Sequence, residues 1–475
     1  MNEPPTPLTA RAPLPAGTVL HADGGLRLRN GGRVLLGGGP LRFVRLTAPG
    51  ARTLRSWLAG ESPTSSGPAT RLARRLLDAG MVHPRPPDHV TTDALTVVVP
   101  VKNDLDGAHT TLSGLPAGTR VIVVDDGSDE PVEAEHLPEA CRIDQRCEIV
   151  RRPRSGGPGV ARIAGLERVT TPLVAFVDAG VDVGGDALER LTPWFTDPEV
   201  TAVAPRVRSA PGDDAIAHYE TTASPLDLGP NPSPVGPGRP VSYVPTACVV
   251  VRRSALDTVG GFDPSLRYGE DVDLVWRLSR ASSVRYDPSV EVTHPARPTL
   301  GALARQRFGY GTAAGPLALR HGGDLAPVRM SAWSAAVVAL GVLGRPLAAL
   351  GLGVGTAVAL APKLEPLVPD HHTEAALLTA RGHAWAARSV ADAAVRVWWP
   401  LPVLAALLGW GRPLRLAWAF ALLRRLLAAD GGPRRRAQTT AIGVADDLAY
   451  GTGVWVGAVR ARAPEALLPR FMRWP

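Results

Sequence analysis

The chain is short of lysine, cysteine and aromatic residues, and each shortage closes off a class of protein. Only two of its 52 basic residues are lysines, Lys102 and Lys363. The positive charge is therefore almost all arginine, which alongside the abundant alanine reads first as a coding bias. Three cysteines, Cys141, Cys147 and Cys248, cannot build a disulfide framework and none stands in a C-x-x-C pair, so a reduced compartment is expected. Aromatics make up 5% and do not alternate with basic residues. A pI near 10 is then the only argument for nucleic acid, and that class is set aside. The first twenty residues, MNEPPTPLTARAPLPAGTVL, hold no apolar core of signal-peptide length, so export is not expected.

Hydrophobic residues at 45% and charged residues at 20% are ordinary globular values, and 475 residues suggest two to four units. The net charge of +8 is unevenly placed: from Pro295 onward 21 Lys+Arg face 9 Asp+Glu, so that half carries +12 and the rest −4. The basic half is also the more apolar half, which suits a membrane surface at the cytoplasmic side better than a DNA groove.

Four stretches follow one another. Residues 1–16 are proline-rich and read as a loose tail. Residues 17–84 show short alternating strands (25–29, 33–36, 41–44) and then helical patterns at 51–58 and 70–79, a small winged-helix-like α+β module. The tract HPRPPDH at 83–89 reads as a linker. Residues 90–298 alternate continuous β-branched runs at 95–100, 120–125, 173–177 and 201–205 with helical segments near 158–168 and 184–195. That is the texture of a doubly wound, mostly parallel α/β sheet with its site at the carboxyl ends of the strands. Residues 299–475 form an Ala/Leu-rich helical tail. Its apolar tracts at 331–344 and 346–361 are separated only by Arg345, and the tract at 397–423 is broken by Arg412 and Arg415, so spanning helices, interfacial helices and a helical soluble domain all stay open.

Three acidic clusters stand just after predicted strands. The first is Val124-Asp125-Asp126-Gly127-Ser128; a carboxylate there can accept a uracil imide or ribose hydroxyls, or merely form an Asp-Gly turn. The second is Phe176-Val177-Asp178-Ala179-Gly180-Val181-Asp182, where paired acids can hold Mg2+ or Mn2+ against a diphosphate. The third, Gly269-Glu270-Asp271-Val272-Asp273, opens a helix whose dipole keeps a carboxylate ionised and fit to act as a general base, unless it is simply a cap.

Taken in order with the opening VVVPVKN, the GPGVARIAGLE helix and the tract TACVVVRRSALDTVGGFDPSLRYGEDVDLVWRL, these clusters resemble the family 2 glycosyltransferases, which have the nucleotide-sugar-binding GT-A fold. The resemblance implies an inverting transferase. Val101 and Asp126 would contact the nucleoside and Arg162 would sit near the diphosphate. Asp178 would be the first acid of the Asp-x-Asp metal motif, with Asp182 and His294 as further ligands of the divalent cation. Asp271 would be the catalytic base, with Glu270 beside it on the acceptor. The chain departs from the pattern twice: Gly180 stands where the motif's second acid belongs, and Ile163 follows Arg162 where asparagine is usual. The segment Arg305-Gln-Arg-Phe-Gly-Tyr-Gly311 occupies the place of a donor-closing element in processive members, or covers a sheet edge. The tract at 210–240 reads as a mobile acceptor lid.

The whole layout, with LTAPGARTLRSWLAGE and TRLARRLLDAGMV in the first module, resembles the mycofactocin-system glycosyltransferases of actinobacteria. That resemblance implies UDP-glucose as donor, a peptide-derived redox carrier as acceptor and a β-linked oligoglucoside as product. Two alternatives stand beside it: a polyprenyl-phosphate or cell-wall acceptor, and a non-catalytic peptide-binding scaffold for which Gly180 is the argument.

Overall fold

The computed structural model describes residues 12–63, 67–87, 95–139, 141, 147–408, 412–428 and 430–472. The chain divides into two compact units, Met1–Ala210 with Ser224–Pro295, and Pro211–Ala223 with Ala296–Pro475.

The first unit begins with a small module. Strands β1 (Val19–Ala22), β2 (Arg27–Arg29), β3 (Val34–Gly37) and β4 (Arg42–Arg45) precede helices α1 (Ala48–Leu58) and α2 (Pro68–Asp78) and strand β5 (Val82–Arg85). Strands β2, β3 and β4 form an antiparallel meander, and its inward residues Leu35 and Val44 pack on Leu54 and Trp57 of α1 and Leu76 and Leu77 of α2. Thr47 caps α1 by accepting the Gly50 amide at 3.2 Å, the ordinary means of satisfying a first-turn donor. Part of the proline-rich tract expected as a linker is instead β5, paired antiparallel with β1 from Val82 to Arg85. Pro84 is tolerated because this ladder has only two strands, each an edge. The remainder of that tract, 88–89, lies outside the described residues, as do residues 1–11 of the expected tail. Residues 12–16 do not trail: Leu14 is buried, and Arg74 donates to the carbonyls of Ala12 and Pro13.

The rest of this unit is an eight-stranded mixed sheet in the order β11-β13-β10-β12-β9-β6-β7-β8. Its strands are β6 (Leu95–Val101), β7 (Arg120–Asp125), β8 (Cys147–Arg151), β9 (Leu173–Val177), β10 (Val200–Ser209), β11 (Ser233–Pro234), β12 (Cys248–Arg252) and β13 (Ser283–His294). Strands β8, β7, β6 and β9 run parallel, as do β10 and β13, while β12 is antiparallel to both its neighbours. Valine runs such as 97–99 and 121–124 are buried on both faces, covered by helices that include α3 (Leu105–Ser113) and α4 (Pro158–Leu166). The expected helix at 184–195 is the short α5 (Ala187–Leu191) continued by a 3-10 turn, Thr192–Thr196, where Pro193 cannot donate to an α-helical ladder.

The tract at 210–240 is more ordered than a free lid. It contains α6 (Ala215–Ala223), which belongs to the second unit, and β11. Residues beyond α6 are pinned by Arg206 on Asp227 (2.7 and 2.9 Å) and by the Tyr286 hydroxyl on the Gly229 carbonyl (2.6 Å). Helices α7 (Arg253–Val259) and α8 (Glu270–Ala281) precede β13.

The second unit is helical: α9 (Leu300–Thr312), α10 (Ala314–His321), α11 (Ala332–Val342), α12 (Pro346–Leu364), α13 (His371–Arg396), α14 (Pro400–Leu407), α15 (Arg412–Ala428) and α16 (Pro433–Ala461). The short strands β14 (Arg329–Ser331) and β15 (Arg470–Met472) pair in parallel. Helix α6 is held here by buried polar contacts, because Arg307 of α9 pairs with both Glu220 of α6 (2.9 Å) and Asp446 of α16 (2.8 Å), and Asp446 also accepts the Tyr219 hydroxyl at 3.0 Å.

Candidate active site

The three acidic clusters do stand at the carboxyl ends of strands or at the helix start expected of them. Asp125 ends β7, Asp178 follows β9, and Glu270 and Asp271 open α8. What ties them together is arginine.

Asp125 is buried and accepts the amides of Ser128 (2.8 Å) and Val132 (3.1 Å) and the Arg151 guanidinium (2.6 Å). Those donors hold its carboxyl below the ordinary range despite burial. Asp126 reaches the other way and accepts the Ser155 hydroxyl (2.7 Å), the amides of Gly156 (3.0 Å) and Gly157 (2.9 Å), and the Arg152 guanidinium. These bonds overcome desolvation and keep it ionised. Asp126 therefore fixes the glycine turn that launches α4, and Pro158 follows at the first helical position, where a missing N–H costs nothing. Gly127 closes the arrangement: its φ is +70°, and a Cβ there would lie 2.7 Å from the Ser155 amide nitrogen, so only glycine lets the two turns touch. Val101 lies beneath, its side chain in the core and its carbonyl accepting the Asp126 amide at 2.8 Å. The residues missed by sequence reasoning are Arg151, Arg152 and Ser155; the basic run RRPRS just before the glycines was the available signal.

Arg162, the fourth residue past that turn, is 2% exposed. It donates to Asp178 (2.5 Å) and to Glu270 (2.9 Å), and its guanidinium lies 5.7 Å from the centre of the Phe262 ring. A single cation thus gathers β9, α4 and α8 at one point. Its charge is retained because the two carboxylates outweigh the desolvation that opposes it.

Glu270 is buried, and desolvation raises its carboxyl pKa against the pull of Arg162. Asp271 is raised too, to about 7, first by desolvation and then by the neighbouring Glu270. The expectation that the helix dipole keeps this carboxylate fully ionised is corrected here: a dipole effect on the order of 1 kcal/mol loses to desolvation in a site packed with other acids. The outcome is a carboxyl poised near neutrality, as a general base should be. Asp273, one step on, is engaged by Arg277, which also donates to the carbonyls of Val259 and Gly261. It locks α8 onto the preceding turn.

The three candidate metal ligands are not gathered into a cage. Among the described residues no three His, Cys, Asp or Glu side chains converge as a cation site. Asp182 pairs through its backbone with Thr293, and its carboxylate turns back onto the Gly184 amide at 2.9 Å. His294 ends β13 with Nδ1 on the Pro295 carbonyl at 2.8 Å. Gly180 has φ +90°, and a Cβ on it would meet Pro295 at 3.0 Å, which is the physical reason an acid is missing there. Asp178 keeps one carboxylate oxygen without a partner among the described residues. One carboxylate oxygen suits Mg2+ or Mn2+, which commonly take one or two carboxylates and fill the shell with substrate phosphates and water. In the 305–311 segment Arg307 is committed to the helical unit, and Gln306 donates to Tyr310 at 2.9 Å.

Residues 96–260 match the family model described as glycosyl transferase family 2. Along almost the whole chain, 41% of 476 aligned residues are identical to the pre-mycofactocin glycosyltransferase of Mycobacterium tuberculosis, covering 96% of this chain and 98% of that one. A shorter stretch, 140 residues at 34% identity, matches the N-acetylglucosaminyl-diphospho-decaprenol L-rhamnosyltransferase of the same organism, covering 26% of this chain and 45% of that one. Among solved structures, a mannosyltransferase from Pyrobaculum calidifontis in complex with GDP-Man and Mn2+ is similar at 18% identity with a TM-score of 0.37, over 76% of this chain and 90% of that one.

Proposed function

This chain belongs to the pre-mycofactocin glycosyltransferases, which it matches along 96% of its length around a family 2 glycosyl transferase domain, and from that premise we propose that it moves glucose from UDP-glucose onto a peptide-derived redox carrier with inversion at the anomeric carbon. The observation that carries the mechanism is Asp271, a half-buried carboxyl raised to about 7 at the start of α8.

In this reading the uridine rests over the turn formed by Val101 and Asp126. The diphosphate lies toward the glycine turn and the first amides of α4, which favour negative charge. Asp271, once ionised, takes the proton of an acceptor hydroxyl. That oxygen attacks the anomeric carbon as the bond to the diphosphate breaks on the opposite face, so an α-linked donor gives a β-linked product. Glu270 stays fixed by Arg162 and presents its edge to the acceptor. Arg162 acts as a positioning residue, since both its terminal nitrogens are already paired. A divalent cation, Mg2+ or Mn2+, would be held by Asp178, with Asp182 and His294 as the further ligands the family resemblance implies, and would supply neutralisation of the leaving diphosphate. Repetition on the product would build the oligoglucoside.

The test is incubation of the protein with UDP-glucose, Mn2+ or Mg2+ and the tyrosine-derived aglycone, with mass detection of added hexose. Hexose additions that disappear in Asp271→Asn support both the acceptor and the base. Bound donor without transfer moves the acceptor to a polyprenyl phosphate or a cell-wall glycan. No binding of any nucleotide-sugar leaves the scaffold reading.

A further inference from the structure

The second unit carries a helix pair that is built inside-out. From Ala332 to Pro362 the only charged residue is Arg345. Along α12 the exposed positions are 346–348, 350, 351, 354, 355, 358, 359, 362 and 363, and all of them up to Pro362 are apolar residues or glycine, with Lys363 in the last turn. Leu347 is 83% exposed, and Leu343 and Val358 are each 67% exposed. The Ser and Thr side chains of the pair, unlike Lys363 in the last turn of α12, point the other way. Ser334 of α11 and Thr356 of α12 are buried, and they meet the two ring nitrogens of His383 on α13 at 3.0 and 2.9 Å. In water the outward face of a helix is polar and the inward face apolar. Here the order is reversed, as it is where the surroundings are hydrocarbon.

We propose that the outward face of α11 and α12 is a lipid-binding surface that sits in one leaflet of an anionic bilayer. We place lipid here and not a protein partner because Ser334 and Thr356 turn inward and leave the stripe between Arg345 and Lys363 without a polar side chain. The charge around it selects the lipid. Arg345 at the turn between the two helices and Arg381 and Arg388 of α13, the helix that packs on α12, are all exposed, as is Lys363 at the end of α12. Basic residues near a membrane surface are attracted to anionic lipid. Among the described residues helix α12 alone has the length and apolarity to cross, but its partner α11 does not, so the pair is placed in one leaflet. Helix α11, with 11 residues, is about 16 Å long against a hydrocarbon core of about 30 Å. Helix α12 packs on α13, whose exposed face mixes Leu377 and Trp385 with Arg381 and Arg388. Such a mixed face belongs at the headgroup level.

The experiment is flotation of the full chain with vesicles of phosphatidylcholine alone, or with roughly one-third phosphatidylglycerol, at moderate salt. The wild type is expected to float with the anionic vesicles and several-fold less with the neutral ones. Leu347→Glu combined with Val354→Glu replaces two exposed side chains, so the fold is kept, and binding is expected to drop about tenfold or more. Transfer to a water-soluble acceptor should be unchanged in that variant, which separates loss of the surface from damage to the active site. A wild type that stays in solution, or a double variant that floats as well as the wild type, overturns the proposal. A lipid-free oligomer that the two glutamates dissolve, with no flotation, assigns the face to a second copy of the chain.

Discussion

At the scale of single residues, the account turns on two groups whose chemistry is set by their neighbours. Asp271 has its pKa lifted to about 7 by burial and by Glu270, so its ionised fraction grows as pH rises through neutrality. The expected profile of kcat/KM is low at pH 5.5 and rises to a plateau above about pH 8, with steady-state rates across that range as the check. Asp271→Asn removes the base and is expected to lower kcat about 10²–10⁴-fold. The same shift has a stability consequence with a definite sign. An acid whose folded pKa lies above its unfolded value stabilises the fold while protonated and loses that contribution as pH rises. Asp271→Asn should therefore gain on the wild type as pH rises from about 4, melting higher at pH 8 with a smaller difference at pH 5, as read by calorimetry. Arg162 is the second group. Replacing it by Ala leaves Asp178 and Glu270 facing each other without their cation, at an expected cost of about 3–5 kcal/mol, measured from urea unfolding midpoints.

At the scale of elements, the site depends on turns being held against each other. The turn after β7 and the turn before α4 touch through Gly127, and Asp126 bonds the second of them with both carboxylate oxygens. Gly127→Ala should push the turns apart and weaken UDP binding about tenfold or more while leaving the far-ultraviolet spectrum unchanged; titration calorimetry with UDP checks it. The strands were legible in the sequence because uninterrupted valine runs need burial on both faces, and the three acidic clusters were legible because each follows such a run or opens an amphipathic helix. The Arg162 hub was not. Its partners lie 16 and 108 residues away in the chain, and no local pattern announces a buried arginine shared by three elements. Strand β5 was hidden for the opposite reason: Pro84 is a local signal against a strand, overruled by pairing with β1.

At the scale of the whole molecule, the chain arranges one chemistry and two attachments. The N-terminal module is fixed to the transferase sheet, with Arg74 of α2 holding Asp197 at 2.6 and 2.9 Å and Arg239 donating to the Asp78 carbonyl at 2.7 Å. Arg74→Ala strands Asp197 in a buried setting and should lower stability by about 3 kcal/mol, seen as a fall in the urea midpoint of the intact chain. The division into a strand-and-helix module, an α/β region and a helical basic region could be read from texture along the sequence. The assignment of 211–223 to the helical unit could not, because it rests on Glu220 and Tyr219 meeting Arg307 and Asp446, residues far apart in the chain. The inside-out packing of α11 and α12 was likewise invisible, since composition gives apolarity but not which side of a helix faces outward.

The most direct measurement is the pH dependence of glucose transfer from UDP-glucose to the tyrosine-derived acceptor, run on the wild type and Asp271→Asn in parallel. The account predicts a rising limb with a midpoint near 7 in the wild type and a residual rate without that limb in the variant. A wild-type rate that is flat from pH 5.5 to 8.5, or a variant that keeps the limb, would contradict Asp271 as the base and with it the mechanism drawn from this site.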